Sequence, residues 1–249
     1  MLTFIGLGLF DANDISVKGL AAIAGADAVY LEGYTSRLMG SSIDDLERCY
    51  HCPVRLLLRE DVELHPDELL DKAGKGNVVI LVAGDPMVST THIDLRIRAF
   101  ERGIPTAIIH GASIMSAVCG LTGLQNYRFG RSCSLPFPEK NWAPVTPMEV
   151  IARNLLQNLH TLVYLDIHKD RFMTVAEAVG ILEGLARKSG TTVSRYIGVA
   201  RAGSGSPVVG MGTAESVARI DFGPPLHIVV IPAELHDMES RYLELFARR

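Results

Sequence analysis

The run Val78-Val-Ile-Leu-Val-Ala-Gly-Asp-Pro86 decides the fold of this chain more than any other stretch. Its six apolar residues, rich in β-branched side chains, predict a strand that is covered on both faces, as in a parallel sheet with helices on either side. Gly84 and Pro86 end the strand and place Asp85 at its carboxyl end, where open α/β sheets bind ligands. The run therefore predicts an α/β fold with a ligand site at this edge of the sheet.

Four other apolar runs in the first half follow the same pattern and alternate with amphipathic segments of about ten residues. These predicted strands are Leu2–Gly6, Ala28–Glu32, Val54–Leu58 and Thr106–His110. Because each run is nearly all apolar, we expect the strands to be covered on both faces. Ser42 and Asp45 have the spacing of a capping box, and Gly74 and Gly103 are predicted to lie just past helix ends.

After His110 the pattern changes, and residues 135–147 form a proline-rich stretch that holds the only tryptophan. Further strands are predicted at Thr161–Ile167, Ser194–Ala200, Val208–Met211 and His227–Ile231, and helices at Met148–Leu159, Val175–Arg187 and Leu235–Ala247. The last helix is predicted to carry an apolar stripe of Leu235, Met238, Tyr242 and Leu245. We expect two α/β domains, residues 1–112 and 113–249, with a mostly parallel N-terminal sheet and a mixed C-terminal sheet.

Composition excludes several classes of partner. The 249 residues include 24 Lys and Arg against 28 Asp and Glu, a net charge of −4, and no run collects five like charges. Electrostatic binding to nucleic acid or to an anionic membrane is therefore not expected. The apolar runs are far shorter than the ~20 residues of a membrane span, and the chain opens on a strand without a basic segment. We expect a cytoplasmic protein.

Four cysteines are too few and too scattered to predict a disulfide framework. Cys49 and Cys52 have the spacing of a redox pair or of half a zinc site, but no second pair lies at a matching distance. A helix is predicted to end at Cys49, whereas a redox motif favours a helix that begins there. Ordinary thiols are the favoured interpretation, and no metal is expected.

Three strand-to-helix junctions are candidate binding sites. Gly6-Leu-Gly8 has the start of a dinucleotide-binding turn, but Asp11 occupies the third glycine position, so a bare tight turn is favoured. Asp85 suits a cationic or hydroxyl-bearing ligand, although it could equally bond its own turn while Ser89 or Thr90 caps the next helix. The segment 111–116 could hold an anion through backbone amides.

Isolated histidines give a weaker signal than these junctions. The candidates are His110, His160 and His227. No neighbouring residues complete a triad or a metal set, so each is expected to be a hydrogen-bonded core or boundary residue. The sequence identifies no side chain that would serve as a base.

Several segments together resemble one enzyme family. They are Gly6-Leu-Gly-Leu9, Tyr34-Thr-Ser36, Gly84-Asp-Pro86 with Thr90-Thr-His92, Gly111-Ala-Ser-Ile114, the stretch 120–130 and Pro225-Leu-His227. The glycine-rich first strand and the Gly-Asp-Pro loop are typical of the wider tetrapyrrole-methylase superfamily. The Tyr-Thr-Ser and Thr-Gly-Leu-Gln segments are typical of a narrower group within it. Over essentially its whole length, the chain resembles the diphthine synthases.

The resemblance implies two α/β domains of the tetrapyrrole methylase type with a cofactor cleft between them. The implied cofactor is S-adenosyl-L-methionine, with S-adenosyl-L-homocysteine as product. The implied reaction is repeated methylation of the amine of 3-amino-3-carboxypropyl-histidine on translation elongation factor 2, giving diphthine in diphthamide biosynthesis, by a homodimer. The family's cofactor contacts correspond here to Leu9, Asp85, Val88, Ser113, Ile114, Leu165, Ala202 and His227.

Other functions stay open at this point. A methyltransferase of the same superfamily that acts on a small molecule or on RNA would keep the Gly-Asp-Pro loop. A nicotinamide-dependent dehydrogenase would use Gly6-Leu-Gly8 for its cofactor. A binding module would hold a cofactor or partner and transfer nothing.

Overall fold

The chain divides into two units, which are described separately. The computed structural model describes residues 1–139, 144–168 and 171–248. The N-terminal unit is Met1–Ile114 and the C-terminal unit is Met115–Arg249. The predicted boundary, after residue 112, lies close to this division.

The N-terminal unit is built on a five-stranded parallel sheet, which confirms the predicted α/β fold class. Its strands are β1 (Leu2–Gly6), β2 (Ala28–Glu32), β3 (Val54–Leu57), β4 (Val78–Val82) and β5 (Thr106–Ile109). They lie in the order β3-β2-β4-β1-β5, and every pairing is parallel. The connecting helices are α1 (Val17–Ala24), α2 (Ile43–Tyr50), α3 (Arg59–Glu63), α4 (Asp67–Lys75) and α5 (His92–Glu101).

Burial in this sheet depends on the position of the strand. Every residue of the central strand β4 and of its neighbour β1 is buried, whereas β2, on the other side of β4, has two half-buried residues. The expectation that all strands are covered on both faces is wrong for β3, where Arg55 and Leu56 are exposed. This strand lies at the sheet edge, where one flank and part of each face meet solvent.

Local sequence signals set some of the helix ends. The Ser42 hydroxyl accepts a hydrogen bond from the amide of Asp45, whose carboxylate accepts one from the amide of Ser42, so the predicted capping box is confirmed. Gly103 follows α5 at φ +69°, a left-handed conformation that favours glycine. The prediction for Gly74 is wrong, because α4 continues through it and Gly76 follows the last helical residue.

The C-terminal unit contains a mixed sheet and a short hairpin. Its strands are β6 (Cys133–Leu135), β7 (Thr161–Leu165), β8 (Ile167–His168), β9 (Arg171–Phe172), β10 (Tyr196–Ala200), β11 (Val208–Gly212) and β12 (His227–Ile231). The order in the sheet is β11-β10-β12-β7-β6, with only β6 and β7 parallel, while β8 and β9 pair with each other. The helices are α6 (Ile114–Thr122), α7 (Thr146–Leu156), α8 (Val175–Ser189), α9 (Ala214–Ala218) and α10 (Asp237–Phe246).

The final helix buries a different face from the one predicted. Met238 and Leu245 of the expected stripe are 63% and 69% exposed, and Leu235 lies before α10 begins. Glu239 and Leu243, four residues apart, are fully buried instead. A carboxylate occupies this apolar environment because a set of donors surrounds it, as described below.

The proline-rich stretch connects β6 to α7. Strand β6 was not predicted, and residues 140–143, which include the tryptophan, lie outside the described residues. The helix predicted over 148–159 begins earlier and ends at Leu156, and Asn158 then adopts a left-handed conformation with φ +55°. Among the helices in the described part of the chain, none combines the length and the apolar character that a membrane span requires.

Candidate active site

Three neighbouring strand ends meet closely at the carboxyl edge of the N-terminal sheet. A Cβ on Gly6 would lie 2.5 Å from the Gly111 nitrogen and 2.6 Å from the Gly84 oxygen, so the backbones leave no room for a side chain. The amide of Gly84 donates to the carbonyl of Gly8 at 2.6 Å, and both residues have positive φ. These glycines, called the glycine cluster below, draw together the loops that follow β1, β4 and β5.

Asp85 is a buried carboxylate of this edge, with 8% of its surface exposed. Its Oδ1 accepts a hydrogen bond from the amide of Met87 at 2.9 Å, and its Oδ2 lies 2.7 Å from Nδ1 of His110. Asp85 therefore bonds its own turn, as the alternative interpretation held, and also binds the loop after β5. Neither Ser89 nor Thr90 caps α5, which begins at His92 without a side-chain cap.

His110 is the partner that sequence reasoning missed. An ionised carboxylate only accepts hydrogen bonds, so Nδ1 of His110 carries a proton and donates the hydrogen bond to Asp85. In the neutral ring the other nitrogen, Nε2, then carries a lone pair. The His110 side chain is 71% exposed, and the buried carboxylate fixes one side of its ring.

The buried side chain of His92 holds the loop between Asp85 and α5 in place. This fully buried ring contacts the carbonyl of Pro86 through Nδ1 at 2.9 Å and packs against Phe4 and Tyr34. Its Nε2 has no hydrogen-bond partner among the described residues, and neither has Oγ1 of Thr90. The loop therefore retains polar atoms that a water molecule or a ligand could satisfy.

The Tyr-Thr-Ser segment is fixed by a buried acid at the end of β2. Glu32 accepts hydrogen bonds from the amides of Tyr34 and Thr35 at 2.6 and 2.7 Å. Burial, and next the charge of Glu32, raise the pKa of the Tyr34 hydroxyl, so this group stays protonated. The Arg59 guanidinium lies over the Tyr34 ring, 5.2 Å from its centre.

The turn after β1 is not arranged to hold a dinucleotide. A single carboxylate oxygen of Asp14 accepts hydrogen bonds from the amides of Leu9, Phe10 and Asp11, at 3.2, 2.7 and 3.3 Å. A pyrophosphate bound as in a dinucleotide fold needs backbone amides of this kind. Because Asp14 already occupies them, the structure favours the bare turn over the dehydrogenase interpretation.

The structure places the predicted cofactor contacts of the N-terminal unit at one edge of its sheet. They are Leu9 after β1, Asp85 and Val88 after β4, and Ser113 and Ile114 after β5. The amide of Val88 donates to the carbonyl of Asp85 at 3.3 Å, and Ser113 is buried directly before α6. Strands β4, β1 and β5 are adjacent, so these five residues follow three neighbouring strand ends.

The three predicted contacts of the C-terminal unit also share a sheet edge. Leu165 is the last residue of β7, Ala202 follows the end of β10, and His227 is the first residue of β12. Strand β12 is antiparallel to both neighbours, and Ala200 pairs with His227. The start of β12 therefore lies beside the ends of β7 and β10.

The ring of His227 is already bonded on both sides. Its Nδ1 accepts from the amide of Val175 at 3.2 Å, and its Nε2 donates to the carbonyls of Gly223 and Pro224 at 3.0 and 3.2 Å. Burial lowers the pKa of the ring, which keeps it neutral. A ligand beside His227 would therefore meet its backbone or the ring face.

A second carboxylate–histidine pair lies inside the C-terminal unit. Glu239 accepts hydrogen bonds from the amides of Gln125 and His236, from Nη1 of Arg128 and from Nε2 of His160. Nδ1 of His160 accepts from the amide of Ala233 at 3.0 Å, so Nε2 carries the proton. The stretch 120–130 is thereby attached to α10 through Gln125 and Arg128.

Electrostatics in this network follow from burial. Burial lowers the pKa of the His160 ring, against the opposing effect of Glu239. For Glu239, burial acts to raise the pKa, but the amides of Gln125 and His236, together with His160, lower it overall. The result is a charged Glu239 beside a charged Arg128 and a neutral His160.

The cysteines give no sign of a metal centre. Cys49 is the next-to-last residue of α2, and Cys52 lies between α2 and β3, so the helix ends near this pair as predicted. Within residues 1–139, 144–168 and 171–248, no group of three His, Cys, Asp or Glu side chains is arranged to hold a metal ion.

Comparisons with known proteins agree on one family. The family model described as Tetrapyrrole (Corrin/Porphyrin) Methylases matches residues 1–218. Diphthine synthase of Methanoregula boonei is 66% identical over 247 residues, which covers 99% of each chain. Diphthine synthase of Methanosphaerula palustris is 64% identical, over 99% of this chain and 98% of the relative. A crystal structure of diphthine synthase matches with a TM-score of 0.93 at 46% identity, covering 99% of this chain and 95% of that one.

Proposed function

The chain belongs to the diphthine synthase family of the tetrapyrrole (corrin/porphyrin) methylases, and we propose that its acceptor is translation elongation factor 2. It is an S-adenosyl-L-methionine-dependent methyltransferase of diphthamide biosynthesis. In the proposed reaction it methylates the amine of the 3-amino-3-carboxypropyl arm on the modified histidine, repeatedly, to give diphthine. The observation that carries this proposal is the 66% identity to a diphthine synthase over essentially the full length of both chains.

The residues of the N-terminal edge fit a cationic methyl donor. When bound, S-adenosyl-L-methionine supplies an activated methyl group on a positively charged sulfur. Asp85 offers a buried carboxylate, and each of its oxygens keeps a lone pair after binding Met87 and His110. The glycine cluster lets a ligand approach the backbone closely at the same edge.

Catalysis in this proposal is mainly a matter of positioning. Holding an amine and a methyl carbon in line can contribute up to ~7–11 kcal/mol. We propose that Leu9, Asp85, Val88, Ser113 and Ile114 bind the donor from the N-terminal unit. Leu165, Ala202 and His227 are the proposed contacts from the C-terminal unit, the last through its backbone because both ring nitrogens are bonded.

The test of the acceptor is intact-mass measurement of elongation factor 2 that carries the unmethylated arm. After incubation with the chain and labelled S-adenosyl-L-methionine, we expect the mass to rise in steps of one methyl substitution. Elongation factor without the arm is the matched control and should gain nothing. An unchanged mass of the arm-bearing factor would favour the rival acceptors, a small molecule or RNA.

The test of the donor site is Asp85→Ala. Calorimetry should show a sharp loss of affinity for S-adenosyl-L-methionine, because the variant removes a buried negative charge from a site for a cationic ligand. Asp61→Ala is a control, since Asp61 is an exposed carboxylate in α3. Unchanged affinity in Asp85→Ala would remove Asp85 from the site.

The proposed assembly is a homodimer, and α5 carries a surface that suits it. Ile93, Ile97 and Phe100 lie on one face of this helix and are 56%, 52% and 80% exposed. Burying such a stripe against a second copy would remove apolar surface from water. Sedimentation should show a dimer for the native chain and for Leu156→Lys, and a monomer for Ile97→Lys; a dimeric Ile97→Lys would exclude this face.

The proposed compartment follows from the acceptor. Translation elongation factor 2 works on cytoplasmic ribosomes, so we propose that the chain acts in the cytoplasm. Recovery of the tagged chain in the membrane pellet after cell fractionation would contradict this placement.

A further inference from the structure

The pair of Asp85 and His110 has the arrangement of a proton-accepting dyad. Asp85 is buried and binds Nδ1 of His110 at 2.7 Å, whereas the His110 side chain is 71% exposed. The carboxylate fixes the tautomer, which places the lone pair on Nε2, on the far side of the ring from Asp85. A buried acid that orients an exposed imidazole in this way prepares it to take a proton from a bound group.

The reaction has a proton for such a group to take. An alkylamine is protonated near neutral pH, and its nitrogen has no lone pair for attack until one N–H bond breaks. Each methylation of an amine produces a new ammonium, so the proton must be removed again before the next transfer. The sequence alone identified no base for this step.

We infer that His110 is the residue that accepts the proton of the acceptor amine, with Asp85 holding its ring. This inference rests on the proposed function. The N–H bond breaks, the proton passes to Nε2 of His110, and the electron pair stays on the amine nitrogen. That pair then forms the bond to the methyl carbon while the carbon–sulfur bond breaks and its pair leaves on sulfur. The exposed imidazolium releases the proton to solvent.

The surroundings of His110 suit this role. The titratable group that bonds the His110 ring is Asp85, at 2.7 Å from Nδ1. The adjacent loop after β1 contributes Asp14, whose carboxylate is already bound by the amides of Leu9, Phe10 and Asp11. Asp85 therefore supplies the negative charge that stabilises the imidazolium.

The test is the pH profile of single-turnover methyl transfer to arm-bearing elongation factor 2. In His110→Gln we expect a rate about 10²–10⁴-fold below that of the native chain near neutral pH. The deficit should shrink as the pH rises toward the pKa of a free amine, because solvent then supplies the unprotonated acceptor. Added imidazole should restore part of the rate in His110→Ala. The control is His65→Gln, an exposed histidine of the same unit, which should match the native chain.

Three results would contradict the inference in distinguishable ways. A His110→Gln rate equal to the native rate across the pH range would show that solvent or another group takes the proton. A loss explained entirely by weaker binding of S-adenosyl-L-homocysteine, with an unchanged pH profile, would show that His110 only holds Asp85. Failure of the native chain to methylate the acceptor would overturn the proposed function, and the inference with it.

Discussion

Two carboxylate–histidine pairs in this chain contain the same chemical groups but have different roles. Glu239 and His160 are both fully buried, and every hydrogen-bonding position of the His160 ring is occupied. Asp85 is also buried, but the ring of His110 is largely exposed, and within the described residues Nδ1 is the nitrogen that is bonded. The first pair is closed and ties α10 to the chain, whereas the second is open and leaves one nitrogen available for chemistry. Burial of the histidine, and not its pairing with an acid, separates structure from function here.

The largest expected effect is the loss of the closed pair. In Glu239→Ala, Arg128 and two backbone amides lose a buried acceptor, and such a break costs about 3–5 kcal/mol of unfolding free energy. Urea denaturation measures the change. The control is Glu215→Ala, which removes an exposed ion pair with Arg219 and should cost less than about 1 kcal/mol. Equal effects in the two variants would contradict a structural role for the closed pair.

A smaller effect is expected when the backbone that presents the open pair is displaced. A Cβ on Gly111 would lie 2.6 Å from the Gly84 oxygen and 2.7 Å from the Gly6 carbonyl carbon. Gly111→Ala should therefore cost about 1–3 kcal/mol and also weaken methyl transfer, because the strand ends must separate. Gly120→Ala is the matched control, since its new methyl meets nothing within 4 Å in helix α6 and should be neutral or stabilising. Full activity in Gly111→Ala would show that the cluster does not position the site.

The pH dependence of stability should report the closed pair. His160 and His227 both have a folded-state pKa lowered by burial from an ordinary value of 6.5. The unfolded chain therefore binds more protons below that value, and the unfolding free energy should fall as the pH drops through it. The slope is at most about 1.4 kcal/mol per pH unit for each ring, and it flattens below the folded-state pKa values. His160→Gln should reduce the slope, and a slope of opposite sign would contradict the neutral tautomer assigned to His160.

Glu239, the acid of the closed pair, makes the unfolding free energy depend on pH in a second, more acidic range. The folded-state pKa of Glu239 is lowered from 4.5, so its contribution is present above that value and is lost as the pH falls through the folded-state pKa. In both pH ranges, a fall in pH lowers the unfolding free energy of the C-terminal unit.

The smallest expected effect on stability comes from the open pair. His110→Gln should change the unfolding free energy by less than about 1 kcal/mol, because one partner is exposed and solvated. The same variant is expected to lose most of its methyl-transfer rate. A large loss of stability in His110→Gln would show that the open pair is structural, as the closed pair is, and would contradict the comparison.

Apolar runs alone were enough to predict much of the fold. Strands β1, β2 and β12 have the predicted bounds, because short continuous apolar segments between turn residues admit few other structures. Strands β6, β8 and β9 have two or three residues each, too few to show a period. The predicted face of α10 is wrong because hydrophobic periodicity treats Glu239 as a surface residue, and its partners come from distant parts of the sequence.

The candidate site shows the same division between local and distant information. The placement of Asp85 at a strand end could be predicted, because glycine, proline and the preceding apolar run fix it locally. Its pairing with His110 could not, since the two residues are 25 positions apart and meet only when β4 and β5 flank β1. A rule that compares the residues following neighbouring parallel strands would have found the pair.

The most direct test of the donor site is a crystal structure of the chain with S-adenosyl-L-homocysteine. The predicted result places the ligand at the carboxyl ends of β1, β4 and β5, in contact with Asp85, Ser113 and Ile114. The contradicting result places it on the amides of Leu9 and Phe10 in the manner of a dinucleotide, with the Asp14 carboxylate displaced from them.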